Sequence, residues 1–192
     1  MEPILTSAAV VALAEIGDKT MLLAIVLATR FRKPVPIILG ILVATLANHG
    51  IAALVGQSIA NLLDGQWFRY AVGISFVAMA LWTLVPDKLD DEEEPRARRF
   101  GAFVTTTIAF FIVEIGDKTQ VATIALAAQF QNFILVTIGT TIGMMLANVP
   151  AVYFGNAIVE CVSLKLVRMI AALLFLAVGI WVIAQAAGLH KF

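Results

Sequence analysis

Long apolar stretches alternate with short polar joints along the chain. Six stretches stand out, at about 4–30, 35–57, 66–85, 101–130, 133–158 and 165–187. Each is long enough to cross a hydrocarbon core of about 30 Å as a helix. No segment of about ten residues alternates apolar and polar positions as a barrel strand does, so helices remain the way to satisfy the buried backbone. The joints carry turn and charge signals, Arg30-Phe31-Arg32-Lys33-Pro34 after the first stretch and Asn61 to Gly65 after the second. The longest polar stretch, Pro86 to Arg99, is acidic at first, then basic, and divides the chain near its middle. It reads as a solvated linker rather than as an ion-capturing loop. The expected fold is an all-α membrane protein with six transmembrane helices: three in residues 1–85, a charged cytosolic linker at 86–100, and three in residues 101–192.

Composition removes the other broad classes. The chain is 61% apolar and 14% charged, with a mean hydropathy of +0.96; soluble domains are about half apolar and a quarter charged. This excludes a soluble enzyme, an extracellular disulfide-built module and a disordered chain. Thirteen basic and 13 acidic residues balance without a basic stripe, which leaves nucleic-acid binding no electrostatic support. No phosphate-cradling loop is present, so a nucleotide is not expected to drive the protein directly. Cys161 is the lone cysteine and cannot form an internal disulfide. The start, Met1-Glu2-Pro3, lacks the basic region of a cleavable signal.

Basic residues set the expected orientation. With six spans, one side holds Arg30, Arg32, Lys33, Lys88, Arg96, Arg98, Arg99, Lys165 and Arg168, and the other holds Arg69 and Lys191. That places the central linker in the cytosol and both termini outside, with Cys161 near the reducing side. Trp82 and Trp181 read as interface anchors.

The chain repeats itself. Glu15-Ile16-Gly17-Asp18-Lys19-Thr20 recurs without change as Glu114-Ile115-Gly116-Asp117-Lys118-Thr119, ninety-nine residues later. The same shift pairs Gly40 with Gly139, Arg69 with Arg168, Phe76 with Phe175 and Trp82 with Trp181, and Leu46-Ala47-Asn48 reappears as Leu146-Ala147-Asn148 after a one-residue slip. Three spans per repeat make the second copy enter the membrane from the other side, so the halves are expected to have inverted topology. Secondary transporters share this plan, with the site near the midplane between the repeats. A duplicated unit without transport is the competing reading.

The motif falls near the middle of the first and fourth stretches. A charge at that depth costs about 2.5–3.5 kcal/mol on an insertion scale, so the six charges are expected to face the bundle interior and find partners. On a continuous helix Glu15, Asp18 and Lys19 share an arc of about 100°, and so do Glu114, Asp117 and Lys118. Four carboxylates and two ammoniums would converge, leaving a formal charge of −2 that a divalent cation would neutralise. Carboxylate oxygens suit Mg2+, Ca2+ or Mn2+. Neither motif holds His or Cys, which argues against a dedicated zinc or copper site.

The residues around the acids have their own readings. Lys19 and Lys118 are expected to pair with Glu15 and Glu114, lowering the cost of burial, or to be released when metal arrives. Gly17 and Gly116 either loosen the helix or let another helix approach. Thr20 and Thr119 are expected to bond the carbonyl four residues back rather than a metal. Asn48 and Asn148 are candidate amide ligands, and Gln120, which matches Met21, is expected to make the site asymmetric. His49 matches Val149 and reads as a packing residue near a helix end rather than a proton shuttle. Gly139 and Gly143 form a close-packing pattern.

Two copies of Glu-x-Gly-Asp-Lys-Thr, one per three-helix repeat, with an acidic central loop between them, resemble the cation transporter family once catalogued as uncharacterised protein family 0016, also called the calcium:cation antiporter-2 family, whose bacterial members include MneA-type manganese exporters. Both motifs match at every fixed position, and the likeness covers essentially the whole chain. The resemblance implies export of Mn2+ from the cytosol across a bacterial inner membrane, in exchange for H+ or Na+. Mn2+ would then be a transported substrate, and no cofactor is implied. The expected metal ligands are Glu15, Asp18, Glu114 and Asp117, with Asn48 and Asn148; the first and fourth helices would rock or break to expose them. A Ca2+/H+ antiporter, a divalent-cation channel and an intramembrane aspartyl protease using Asp18 and Asp117 are the rival readings.

Overall fold

The computed structural model describes residues 1–63, 65–85, 101–155, 157 and 163–188. Among them stand eight α-helices: α1 Glu2–Glu15, α2 Lys19–Phe31, α3 Pro34–Leu62, α4 Gln66–Thr83, α5 Ala102–Glu114, α6 Lys118–Phe130, α7 Phe133–Phe154 and α8 Leu164–Ala186. The protein is all-helical, and α3, α7 and α8 are each long and apolar enough to cross a bilayer. The expected linker 86–100, Cys161 and Lys191 lie outside the described residues.

Four of the six expected stretches are single helices. α4, α7 and α8 lie close to their expected bounds, whereas α3 runs on to Leu62. The stretches 4–30 and 101–130 are not single helices, and here the expectation is corrected. Each is two helices with a break, at Ile16-Gly17-Asp18 and at Ile115-Gly116-Asp117. The cause is local. Ile16 and Ile115 turn extended, and Gly17 and Gly116 take φ of +83° and +78°. A residue with a Cβ is strained at such angles, and glycine is not. Apolar residues continue on both sides of each break, so hydropathy alone does not reveal it.

Close helix crossings repeat with exchanged partners. α1 packs along α7, and α3 packs against α5, α6 and α7. A Cβ on Gly139 would lie 2.6 Å from the Ile4 carbonyl oxygen, and one on Gly143 would lie 2.5 Å from that of Ala8. The packing reading of this glycine pair therefore holds. In the other half, a Cβ on Gly40 of α3 would lie 2.9 Å from the Phe103 carbonyl oxygen of α5. Gly40 and Gly139 are ninety-nine residues apart, as are Ile4 and Phe103, so the same junction is built twice, each time between opposite halves. α4 packs along α8, where the related pair Phe76 and Phe175 bring their ring centroids to 6.4 Å. Trp181 packs on Phe130, while Trp82 remains exposed.

Candidate metal centre

Each break does two things to its motif. It ends a helix on the glutamate, Glu15 or Glu114, and starts the next with the aspartate, Asp18 or Asp117, at the N-cap. The turn is closed by Asp18 N–H donating to the Glu15 carbonyl at 3.0 Å and by Asp117 N–H donating to that of Glu114 at 3.1 Å. An N-cap aspartate ordinarily accepts a hydrogen bond from the first turn of its own helix. Neither Asp18 nor Asp117 caps a backbone N–H in this way, and each has a lysine of the other half beside it.

That space is buried and acidic. Glu15, Asp18, Glu114 and Asp117 are all buried, the two glutamates completely. Glu15, Glu114 and Asp117 each bring a carboxylate oxygen within 4.8 Å of the others. Asp18 stands outside that trio, with the Lys118 Nζ 2.8 Å from its Oδ1. Lys19 Nζ lies 3.7 Å from Asp117 Oδ1. Each lysine therefore pairs with the aspartate of the opposite half, which corrects the expected pairing with Glu15 and Glu114. The expectation assumed one continuous helix, and the break removes that one-turn geometry.

The threonines are corrected for the same reason. Thr20 Oγ1 donates to Glu15 Oε2, and Thr119 Oγ1 lies 3.5 Å from Glu114 Oε2 and 3.3 Å from Asp117 Oδ2. Each hydroxyl reaches back across the break to its own glutamate. Where the helix is unbroken, Thr123 does bond the carbonyl four residues back, at 2.7 Å.

The asparagines approach from α3 and α7. Asn148 Nδ2 lies 3.5 Å from Glu15 Oε2 and also reaches the Met144 carbonyl at 3.1 Å and Met144 Sδ at 2.8 Å. Asn48 Nδ2 donates to the Phe111 carbonyl at 3.3 Å, and its Oδ1 accepts from Gln120 Nε2. Gln120 Oε1 in turn accepts from Gly116 N–H at 2.7 Å, whereas Gly17 N–H meets the thioether of Met21 at 3.4 Å. The structure carries the expected difference between Gln120 and Met21 into the two turns themselves.

His49 is the residue that sequence reasoning misplaced. It is completely buried, with Nε2 3.2 Å from Glu114 Oε2. Because α3 continues to Leu62, His49 sits in mid-helix, not near its end. The available signal was its position beside Asn48. Glu15 Oε1, Glu114 Oε1, Asn148 Oδ1 and His49 Nδ1 are all buried without a hydrogen-bond partner among the described residues.

Chemically, this is a buried cluster of three carboxylates with few donors. Converging carboxylate oxygens can hold a hard divalent cation. Asp18 and Asp117, each beside a lysine, suit ionised carboxylates and not a pair sharing one proton as in an aspartyl protease. The two breaks differ in cover. A Cβ on Gly17 would lie 2.7 Å from Leu164 Cδ2, at the start of α8, whereas none of the described residues lies within 4 Å of the same point on Gly116.

A family model described as the divalent cation/proton antiporter GDT1 matches residues 3–91 and 102–189. The chain is 50% identical over 177 residues to a Vibrio cholerae protein named "Putative manganese exporter", covering 92% of this chain and 88% of that one. It is 30% identical to GDT1-like protein sll0615 of Synechocystis, over 86% of this chain and 88% of the relative. It is 26% identical to GDT1-like protein 5 of Arabidopsis thaliana, over 91% and 92%. No solved structure matches.

Proposed function

The chain belongs to the GDT1 family of divalent cation/proton antiporters, and on that footing we propose that it exports Mn2+ from the cytosol in exchange for protons. It is a cation transporter, not an enzyme. The observation that carries the reading is the buried trio Glu15, Glu114 and Asp117, drawn from both halves and sharing one space. Asp18, Asn48 and Asn148 complete the ligand set as the halves move, and Lys19 and Lys118 supply the countercharge.

α1–α2 and α5–α6 each act as one broken span, giving six spans in two inverted halves, residues 1–85 and 101–192, joined by a cytosolic linker at 86–100. The reciprocal junctions and crossed ion pairs support this arrangement. The basic-residue count supports a bacterial inner membrane with both termini outside. Broken helices at a midplane site are the means by which transporters expose a site to one side at a time. Manganese as cargo is supported by the name of the 50%-identical relative; the oxygen donors alone fit Ca2+ equally well.

Protons and metal compete for the same carboxylates, because a ligand must be deprotonated to bind. Acid on the far side therefore favours release there. The test is proteoliposomes loaded with a Mn2+-quenched dye, with the unaltered chain or Asp117→Asn, under imposed pH or Na+ gradients, repeated with Ca2+. Mn2+ uptake driven by the pH gradient and abolished by the substitution is expected. Equal uptake by both proteins would make the acidic motif structural; a response to Na+ alone would replace the proton as coupling ion.

A further inference from the structure

The oxygen donors at the acidic centre come in related pairs, one from each half. Such a set does not separate Mn2+ from Ca2+ or Mg2+, since all three accept carboxylate and amide oxygens. Two other groups beside the centre are unpaired in this sense. His49 stands where the other half has Val149, and Met144 where it has Ala44. Both are fully buried.

They flank opposite sides of the trio. His49 Nε2 is 3.2 Å from Glu114 Oε2, and its Nδ1 is buried without a hydrogen-bond partner among the described residues. Adjacent donors around an octahedral ion with bonds of about 2.1 Å lie about 3 Å apart; this imidazole and Glu114 have that spacing, while the imidazole stands just outside the trio and joins it on metal binding. Met144 Sδ lies 2.8 Å from Asn148 Nδ2. With the Met144 carbonyl at 3.1 Å from the same nitrogen, it fixes the amide with Nδ2 toward Glu15 Oε2 at 3.5 Å and leaves Asn148 Oδ1 buried without a hydrogen-bond partner among the described residues. Imidazole nitrogen is a good donor to first-row transition metals and a poor one to alkaline-earth ions.

We propose that His49 sets the preference for Mn2+ over Ca2+ and Mg2+ by adding a nitrogen donor beside Glu114, and that Met144 is a positioning residue that fixes the orientation of the Asn148 amide beside Glu15. This rests on the metal site proposed above. The symmetric oxygen centre holds a divalent cation, and the two asymmetric neighbours choose which.

The test uses His49→Val and Met144→Ala, which install the residues of the other half, and His49→Gln, which keeps a hydrogen-bonding group beside Glu114 but removes the nitrogen ligand. Equilibrium binding of Mn2+, Ca2+ and Mg2+ is measured on the purified full chain, with competition between the ions in proteoliposomes. Both His49 variants are expected to weaken Mn2+ about tenfold and Ca2+ less than about twofold, so the Mn2+/Ca2+ ratio collapses. Met144→Ala is expected to lower the ratio about threefold or less. Parallel loss of Mn2+ and Ca2+ affinity, or an unchanged ratio in His49→Gln, would overturn the proposal while leaving the metal site standing. Failure of the unaltered chain to bind either ion would overturn both.

Discussion

The same six residues, Glu-Ile-Gly-Asp-Lys-Thr, occur twice, and the two copies can be compared atom for atom. Their backbones agree: a helix ends on the glutamate, glycine takes a positive φ, and the aspartate caps the next helix. In both, the threonine reaches back to the glutamate. What surrounds them differs. Lys118 is buried and 2.8 Å from Asp18, whereas Lys19 is 19% exposed and 3.7 Å from Asp117. Gly17 lies under Leu164, and Gly116 has no such cover. Asp117 joins the carboxylate trio and Asp18 does not. Identical residues dictate identical local geometry; unlike neighbours decide what each copy does with it. In a protein that alternates between two states, the halves are expected to occupy unequal environments and to exchange them.

The lysines break this comparison most sharply. Lys118→Met leaves Asp18 buried without its ion pair, and loss of one partner of a buried pair costs about 3–5 kcal/mol. Lys19 is partly solvated and its pair is longer, so Lys19→Met is expected to cost less than Lys118→Met. Thermal unfolding of both variants in metal-free detergent checks the ranking, and equal losses would deny the asymmetry.

The glycines sharpen the comparison at the next level. Alanine at either position pays the left-handed backbone penalty of about 1–2 kcal/mol, and at Gly17 it also meets Leu164. Gly17→Ala should therefore lower the unfolding temperature more than Gly116→Ala. Adding Leu164→Ala should recover part of the loss for Gly17→Ala and none for Gly116→Ala. An effect of similar size is expected for Gln120→Met, which gives the second turn the residue of the first. It removes the hydrogen bonds to Gly116 and Asn48, at about 1 kcal/mol each. A stability and Mn2+ affinity unchanged from the original chain would make the Gln120 contacts incidental.

Much of this was legible in the sequence, for identifiable reasons. Four helices follow from hydropathy because a bilayer demands long apolar runs. The acids stood out because buried charge is costly and the motif is doubled. The breaks were legible only as one of two readings, since Ile16 and Ile115 keep the apolar run continuous and a mid-helix glycine is compatible with either a loosened helix or close packing. The threonine and lysine partners followed the breaks, so helical-wheel geometry gave the wrong neighbours for Thr20, Thr119, Lys19 and Lys118. The crossed pairs Lys19–Asp117 and Lys118–Asp18 depend on how the halves meet, which no local pattern encodes. His49 was misread because its contact with Glu114 depends on how α3 meets α5, which the pattern within α3 does not encode.

The central claim is that the two motifs build one shared cation site. Titrating purified chain with Mn2+ and counting bound ions by electron paramagnetic resonance tests it directly, using the unaltered protein, Glu15→Gln and Glu114→Gln. One ion per chain, lost to a similar degree when either glutamate is changed, is the expected result. Two ions per chain, or binding that survives one substitution and not the other, would mean that each half holds its own site or that one motif does not bind metal, and the shared centre would be wrong.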